Sequence, residues 1–350
     1  MDIEIIPVRT KSDIKNFIEL PWKIYQGNKN WVPPLISDVK RIISTEQSNP
    51  DTFEKEVYIA LLDGKTTGRI YLGIDKVLNS KKNEEMGHFS LFECINSHDV
   101  AKALFDTAIS WFRQRGITKV RGPVSPTGAD SDENKGLLID SFHLPPVIMN
   151  SYNPEYYKEL IENYGFSKDY DVYAYYLDPA GLFLNDPAKT IEYAKKRYGF
   201  RVDTLNLKNV EGEINSLKHV LDLAVPDEWP DMVAPSLEDV RAIAKKLIPV
   251  ADPDIIVIAR AGDDAIGFGI ALPDYNQVLI HLKGKMTPLA IMKYLYYKRK
   301  ITGLRFFIMF VVPEFRKKGV SYALYYQVFK NGINKGYRIS EGSTIGETNL

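Results

Sequence analysis

The chain contains an internal repeat, and this feature constrains its fold more than any other. Residues 103–123 (ALFDTAISWFRQRGITKVRGP) align without a gap with residues 323–343 (ALYYQVFKNGINKGYRISEGS). The identical positions are Ala103 and Ala323, Leu104 and Leu324, Gly116 and Gly336, and Gly122 and Gly342. Upstream, residues 59–75 resemble residues 258–274, and both read as two strands around a short polar turn. A repeat of this kind predicts two copies of one folding plan.

Strands alternate with helices in both copies. This pattern predicts a mixed α/β (α+β) fold of two tandem domains, each a mixed, mostly antiparallel sheet flanked by helices. We place the first domain at residues 1–178, a linker with a connecting helix at 179–198, and the second domain at 199–350. Nothing after Leu350 corresponds to the helix and strand expected within 153–178. We therefore expect either that the chain is truncated or that the second domain borrows these elements from elsewhere.

Composition gives no sign of a charged macromolecular partner. The 45 Lys and Arg residues balance 45 Asp and Glu residues, so we expect neither nucleic acid nor a membrane as partner.

Cys94 is the single cysteine, which excludes an internal disulfide. The apolar run at 306–312 is far shorter than the ~20 residues of a membrane helix, and the N-terminus lacks a signal-peptide pattern. We expect a cytoplasmic protein. The five histidines show no ligand spacing, so we predict no metal site.

A strand, a basic turn and a helix follow one another near the end of the chain. The apolar strand reads from Phe306 to Val312, the turn contains Arg316, Lys317, Lys318 and Gly319, and the helix begins at Val320. Helix N-termini bind anions because their first N–H groups lack partners and the helix dipole is positive there. The sequence therefore predicts a phosphate site at this turn, although an isolated RKKG turn would more often be simply solvated.

The turn resembles the signature of the GNAT acetyltransferase superfamily: a strand, then Gln or Arg, two residues, Gly, one residue, and Gly or Ala at a helix start. Here the signature reads Arg316-Lys317-Lys318-Gly319-Val320-Ser321, with serine in the last position. Together with the repeat and the domain order, the whole chain resembles bacterial tandem two-domain GNAT-like proteins. The resemblance implies a site for acetyl-CoA or another acyl-CoA formed by Phe310, Val311, Val312, Arg316, Lys317, Lys318, Gly319, Val320, Ser321 and Asn349.

The resemblance also implies a reaction, the transfer of an acyl group, most simply acetyl, from acyl-CoA to a small-molecule or peptide amine. Glu341 is the candidate general base, because we expect it to end the strand beside the apolar strand and its repeat partner is Arg121. Trp229, in PDEWPDM, is the candidate for the acceptor pocket. Each residue has a plainer interpretation, a solvated carboxylate for the first and a helix-packing tryptophan for the second.

The first copy lacks the basic turn. At the repeat offset, Asn96, Ser97, His98 and Asp99 replace Arg316 to Gly319. We therefore expect Asp99 to cap the helix and the first domain to bind no cofactor.

Elsewhere, GADSDEN (128–134) reads as a solvated loop. The aromatic and basic segment 292–300 reads as a helix that packs on one face and meets solvent on the other.

Two other functions stay open on sequence alone. The paired domains could form a non-catalytic acyl-CoA-binding or scaffold protein. Tandem GNAT-like domains can also accept aminoacyl-tRNA, but the balanced charge disfavours this donor because tRNA binding requires a basic surface. The sequence does not indicate the acceptor, the acyl chain length or the oligomeric state.

Overall fold

The two repeat copies fold into two sheets. The structure is a computed structural model, and it describes residues 2–44, 51–125, 136–178, 181, 187–225 and 234–347. It divides into two units: unit 1 contains Met1–Lys168 and Val278–Tyr296, and unit 2 contains Asp169–Gln277 and Tyr297–Leu350. Trp229, Asn349 and the stretch 128–134, all singled out from the sequence, lie outside the described residues.

Unit 1 contains a sheet that has, among the described residues, five strands in the order β1-β2-β3-β4-β5. The strands are β1 (Ile3–Pro7), β2 (Phe53–Leu62), β3 (Lys65–Asp75), β4 (Met86–Cys94) and β5 (Lys119–Arg121). Neighbouring strands run antiparallel except β4 and β5, which are parallel. The helices are α1 (Lys11–Ile24), α2 (Ile36–Ile43), α3 (Lys76–Lys82), α4 (His98–Arg113) and α5 (Tyr157–Tyr164).

Unit 2 contains a sheet of six strands within the described ranges, in the order β6-β11-β10-β9-β8-β7. The strands are β6 (Val172–Leu177), β7 (Arg201–Thr204), β8 (Ile256–Ala261), β9 (Asp264–Pro273), β10 (Gly303–Val311) and β11 (Ile339–Gly346). The parallel pair is β10 and β11. The helices are α6 (Ala188–Tyr198), α7 (Val210–Ala224), α8 (Leu237–Leu247) and α11 (Val320–Asn334). Two more helices, α9 (Asn276–Leu282) and α10 (Pro288–Lys298), follow β9 in the connection to β10, and their residues from Val278 to Tyr296 belong to unit 1.

The repeated helices α4 and α11 bury matching faces. The residues concerned are Val100, Leu104 and Ala108 of α4 and Val320, Leu324 and Val328 of α11, and each is at most 2% exposed. A spacing of four residues places side chains on one face of a helix, so each trio forms a stripe against the core of its own unit. The sequence repeat therefore reflects a shared packing position in the two units.

The predicted mixed α/β fold with two tandem domains is confirmed, but the boundary at residue 178 is wrong. β6 pairs antiparallel with β11, from Leu177 opposite Ser340 to Val172 opposite Gly346, so it belongs to the sheet of unit 2. The boundary lies between Lys168 and Asp169. Unit 2 thus takes its sixth strand from the segment that follows α5. Local pattern did not reveal this, because the apolar and aromatic residues of β6 suit either sheet.

The segment expected to be a linker, 179–198, contains a helix that is part of unit 2. Ile191 of α6 is 2% exposed and lies in the same apolar core as Leu324 of α11. Gly199 ends the helix in the left-handed conformation, with φ of 67°. α6 is therefore anchored in the unit rather than connecting two independent bodies.

Two sequence expectations concerned membranes and metals. Within the described residues, no helix is long and apolar enough to cross a membrane. Across the same residues, no group of three or more His, Cys, Asp or Glu side chains is placed to hold a metal ion.

Candidate functional site

The parallel strands β10 and β11 separate partway along the sheet. They pair as far as Phe306 opposite Gly342 and no further. Beyond this point β10 continues along β9 to Val311, while β11 continues along β6. The carboxyl ends of the two strands thus leave a gap in the sheet, and the turn 312–319 begins at its edge.

One backbone amide of β10 faces this gap. Val312 donates its N–H to the carbonyl oxygen of Ile266 at 3.0 Å, on the β9 side. Successive peptide groups of a strand point to opposite sides, so the N–H of Val311 points away from β9. The carbonyl oxygen of Val311 points the same way and accepts a hydrogen bond from Nε of Arg316 at 3.2 Å. The Val311 N–H is therefore placed to donate to a carbonyl oxygen in the gap, while the side chains of 310–312 are buried in the core.

The turn ends at a helix N-terminus whose amides are unpaired. The first intrahelical bond of α11 runs from the N–H of Ala323 to the carbonyl oxygen of Gly319, at 3.0 Å. The N–H groups of Gly319, Val320, Ser321 and Tyr322 have no acceptor among the described residues. Four unpaired N–H groups at the positive end of the helix dipole form a binding site for an anion such as a phosphate.

Gly319 is required at this turn by both conformation and space. It is the N-cap of α11 with φ of 81°, in the region that favours glycine. A β-carbon added here would lie 3.1 Å from the β-carbon of Ala194 on α6, which is tighter than ordinary contact. Glycine thus lets the chain turn into α11 directly beside α6.

The basic side chains of the turn have different surroundings. Arg316 donates Nη2 to the carbonyl oxygen of Ala224 at 3.1 Å, in addition to its bond to Val311, so its hydrogen bonds hold the turn against β10 and the end of α7. The sequence predicted that Arg316 binds a phosphate group. In the structure, its guanidinium instead donates to two backbone carbonyl oxygens and so holds the turn in place. The ammonium of Lys318 lies 4.6 Å from the ring centroid of Phe315. Lys317 is exposed and adopts φ of 62°.

The last turn of α6 adds cations that sequence reasoning missed. Besides the contact at Ala194, the ammonium of Lys318 lies 6.0 Å from the ring centroid of Tyr198, so this end of α6 adjoins the turn. Its last turn carries Lys195, Lys196 and Arg197. The signal is present in the sequence as the run KKRYG at 195–199, within the segment predicted to be a linker with a connecting helix. The positive charge beside the free amides therefore comes from the turn itself and from the last turn of α6.

Glu341 lies inside β11 at the base of the gap. The expectation that it ends the strand is wrong, because β11 continues to Gly346. Glu341 is the cross-strand partner of Arg305, one residue before the strands separate. Its Oε1 accepts a hydrogen bond from the hydroxyl of Ser343 at 2.6 Å. The half-buried carboxylate is thus held at the point where the gap opens.

The corresponding connection in unit 1 is short and differently capped. β4 ends at Cys94 and α4 begins at His98, so residues 95–97 replace the turn 312–319. Ser97 is the N-cap of α4, and its hydroxyl accepts the N–H of Val100 at 3.4 Å. Asp99 lies in the first turn of α4, so the expectation that Asp99 is the cap is wrong. In unit 1 the capping hydroxyl therefore occupies one of the N-terminal helix amides, whereas the equivalent amides of α11 in unit 2 have no such side-chain acceptor in the part of the chain that the structure describes.

Tyrosines from α5 and its N-cap occupy the end of β4. The phenol of Tyr157 accepts the N–H of Cys94 at 2.9 Å and donates to Oε2 of Glu93 at 2.6 Å. The phenol of Tyr156 donates to the carbonyl oxygen of Cys94 at 2.8 Å. Burial, followed by the charge of Glu93, raises the pKa of Tyr157 well above its ordinary value, so the phenol stays protonated. The peptide groups of the last β4 residue are therefore satisfied within unit 1.

The chain has sequence relatives among known proteins. No family model matches the chain. The chain is 28% identical over 308 residues to a bacterial ceramide synthase from Caulobacter vibrioides strain NA1000 / CB15N, covering 87% of this chain and 78% of that protein. It is 26% identical over 296 residues to protein YghO of Escherichia coli strain K12, covering 84% of this chain and 74% of that protein.

A solved structure matches both units at once. It is a tandem GNAT protein from the clavulanic acid biosynthesis pathway, with a TM-score of 0.53 and 12% sequence identity, and the match covers 100% of this chain and 91% of that structure. The chain has the tandem GNAT fold. In this GNAT fold, the gap between β10 and β11 and the free amides of α11 belong to the second unit, while unit 1 has the same architecture with a short connection in place of the turn.

Proposed function

We propose that this chain is an acyltransferase that uses an acyl-CoA as donor and an amine as acceptor, with the donor bound by unit 2. The observation that carries the proposal is the set of four free N–H groups at Gly319, Val320, Ser321 and Tyr322 beside the gap in the sheet. The phosphate groups of coenzyme A are the anions that such a set can bind. Lys317, Lys318 and the last turn of α6 add favourable charge.

The residues around the gap suit acyl transfer in two ways. The N–H of Val311 would donate to the carbonyl oxygen of the acyl group, which both orients that group and stabilises negative charge that develops on the oxygen. Arg316 holds the following peptide group, between Val311 and Val312, through the carbonyl oxygen of Val311. The donor supplies a thioester carbonyl, and the role of the chain is to hold it beside the amine.

Glu341 is the proposed proton acceptor. When an amine nitrogen bonds to the acyl carbon, the carbon–sulfur bond breaks, the sulfur leaves as a thiolate that takes a proton from solvent, and the nitrogen must lose a proton. The carboxylate of Glu341 at the base of the gap would take that proton, and the hydroxyl of Ser343 holds it in position. The residues proposed for acceptor binding include Trp229, on the sequence argument alone.

The relative named as a ceramide synthase suggests which acceptors and donors to test first. A ceramide is the amide of a long-chain amino alcohol, so the first acceptor to test is an amine on a long alkyl chain. The donor panel should then run from acetyl-CoA to palmitoyl-CoA. We expect thiol release with at least one pair. Tight acyl-CoA binding without turnover for any amine would instead favour the non-catalytic acyl-CoA-binding alternative.

The change Glu341→Gln should lower kcat by about a hundredfold, because removing a general base typically costs this much, and leave the KM for acyl-CoA nearly unchanged. The matched control is Glu314→Gln, the same substitution at an exposed residue next to β10. We expect the control to keep wild-type kcat. Steady-state thiol release over a range of pH measures both variants, and equal activity of Glu341→Gln and wild type would exclude Glu341 as the base.

We expect about one acyl-CoA site per chain, because the peptide groups of Cys94 in unit 1 are already bonded to Tyr156 and Tyr157. Calorimetric titration with acetyl-CoA should therefore give a stoichiometry of about one. The change Tyr157→Phe frees the Cys94 N–H and should cost about 1–3 kcal/mol of stability without adding a second site. A stoichiometry near two in either protein would contradict the assignment of the donor to unit 2 alone.

A further inference from the structure

Helix α10 presents apolar side chains to solvent. Met292 is 67% exposed, Leu289 63% and Leu295 58%. Ala290 is the buried residue of this helix, while Tyr294 and Tyr297 are half-buried. The hydroxyl of Thr287 accepts the N–H of Ala290 at 3.3 Å, and Pro288 opens the helix, so its start is well defined. The sequence predicted a helix over 292–300 that packs on one face and meets solvent on the other, and the structure shows that the face meeting solvent carries apolar side chains.

The exposed apolar residues form one stripe. At 3.6 residues per turn, Ala290, Tyr294 and Tyr297 share the inward face. Met292 lies opposite this face, with Leu289, Ile291, Leu295 and Tyr296 around it on the outer side. Lys293 and Lys298 fall between the two faces, one on each side. A helix with an outward apolar stripe and lysines along both edges has the pattern of helices that lie in a membrane interface.

The chain segment that contains α10 carries charge of one sign. From residue 275 to residue 313 the chain contains no Asp or Glu, although Asp and Glu number 45 in the whole chain. The cations of this stretch are Lys283, Lys285, Lys293, Lys298, Arg299, Lys300 and Arg305. All of them except Arg305 are exposed. The neutral overall charge therefore hides a stretch of chain, containing the apolar stripe, in which every Lys, Arg, Asp or Glu residue is a cation.

We propose that α10 docks the protein on the surface of a lipid bilayer that contains anionic lipids. The apolar stripe would enter the boundary between headgroups and acyl chains, and the surrounding cations would attract the anionic headgroups. A second copy of the chain suits this face less well, because two such surfaces would bring like charges together. The proposal replaces the expectation, drawn from net charge alone, that no membrane is a partner, and it does not depend on the proposed reaction.

Sedimentation of the full chain with vesicles tests the proposal. We expect binding to vesicles of phosphatidylglycerol mixed with phosphatidylcholine, and weaker binding to pure phosphatidylcholine or at high salt. The double change Met292→Glu with Leu295→Glu should lower the partition coefficient by about a hundredfold or more, because two apolar side chains no longer enter the interface. The matched control is Leu207→Glu with Leu223→Glu, which alters two exposed leucines elsewhere by the same charge.

A second pair of variants isolates the charge. Lys293→Gln with Lys298→Gln should lower partitioning into anionic vesicles by about thirtyfold, while Lys11→Gln with Lys15→Gln, the same change on α1, should leave it unchanged. Circular dichroism checks that every variant is folded. Failure of the wild-type chain to sediment with anionic vesicles would overturn the proposal, as would equal losses in variant and control. Self-association that disappears in Met292→Glu with Leu295→Glu, without vesicle binding, would assign the face to a second copy.

Discussion

Replacing Gly319 by aspartate is expected to lower the affinity for acetyl-CoA by about a hundredfold or more. The new carboxylate would sit at the N-cap of α11, where it can accept the N–H groups that are free in the wild type. It would also repel the phosphates of the donor. Loss of one or two hydrogen bonds to a charged group, at about 1.5–3 kcal/mol each, accounts for the expected size of the effect. Calorimetric titration with acetyl-CoA measures it directly.

The matched control for this variant is Gly336→Asp. Gly336 follows the other end of the same helix, has φ of 92°, and has open space where a β-carbon would be. Both variants therefore introduce one negative charge and a strained backbone, at a cost of about 1–3 kcal/mol of stability, but only Gly319→Asp does so at the N-terminus of α11. We expect it to bind acetyl-CoA within about twofold of wild type. Unchanged binding by Gly319→Asp, or equal loss in both variants, would rule out the turn as the donor site.

The change Arg69→Met should destabilise the protein by about 3–5 kcal/mol at pH 7. Arg69 is 3% exposed, donates to the carbonyl oxygen of Phe17 at 2.8 Å, and lies 3.5 Å from Oε1 of Glu93. Its guanidinium also stacks over the ring of Phe17, with 4.6 Å to the centroid. Removing the cation leaves the buried carboxylate without its counter-charge, and that loss has the stated size in other proteins. Urea unfolding followed by tryptophan fluorescence measures the effect, and three of the four tryptophans, Trp22, Trp31 and Trp111, belong to the same unit as Arg69.

The cost of Arg69→Met should also depend on pH. Burial raises the pKa of Glu93 above its ordinary value, and the charge of Arg69 opposes this rise. The variant should therefore raise that pKa further. A carboxyl group with a raised pKa in the folded state binds its proton more tightly when folded, so stability falls as pH rises from the ordinary pKa through the folded pKa. We expect a smaller deficit at pH 5 than at pH 7.

A double variant provides the control for this prediction. Adding Glu93→Gln to Arg69→Met removes the uncompensated charge and should restore much of the lost stability and abolish the pH dependence of the deficit. Tyr157 keeps a partner in the new amide. A deficit that is the same at pH 5 and pH 7, with no recovery in the double variant, would show that the cost arises from lost packing.

Several features of the site were readable from the sequence because they depend on local structure. The glycine at 319, the start of α11 at Val320 and the core stripe of Val320, Leu324 and Val328 follow from turn chemistry and from helical spacing. The absence of the turn in the first copy was also readable. The first copy has Asn96, Ser97, His98 and Asp99 at the positions of Arg316 to Gly319. The structure adds that the connection itself is shorter, residues 95–97 in unit 1 against 312–319 in unit 2.

Other features depend on contacts between distant parts of the chain. The basic turn at the end of α6 is local sequence, but only packing of Ala194 against Gly319 places it beside the free amides. The position of Glu341 inside β11 depends on how far that strand extends along β6. The pairing of Arg69 with Glu93 could not be predicted from the sequence, because the two residues are 24 positions apart and meet only when β3 and β4 pair.

The sequence by itself determined the repeat, the alternation of strands and helices, and the helix start with its glycine, since all of these depend on residues close together along the chain. Only the tertiary structure decided that β6 completes the second sheet, because its apolar and aromatic side chains suit either sheet and the choice depends on pairing with β11, more than 160 residues away. It also decided which face of α10 meets solvent. Helical spacing gives the faces of a helix, but the direction each one points is determined by the surface that the helix packs on.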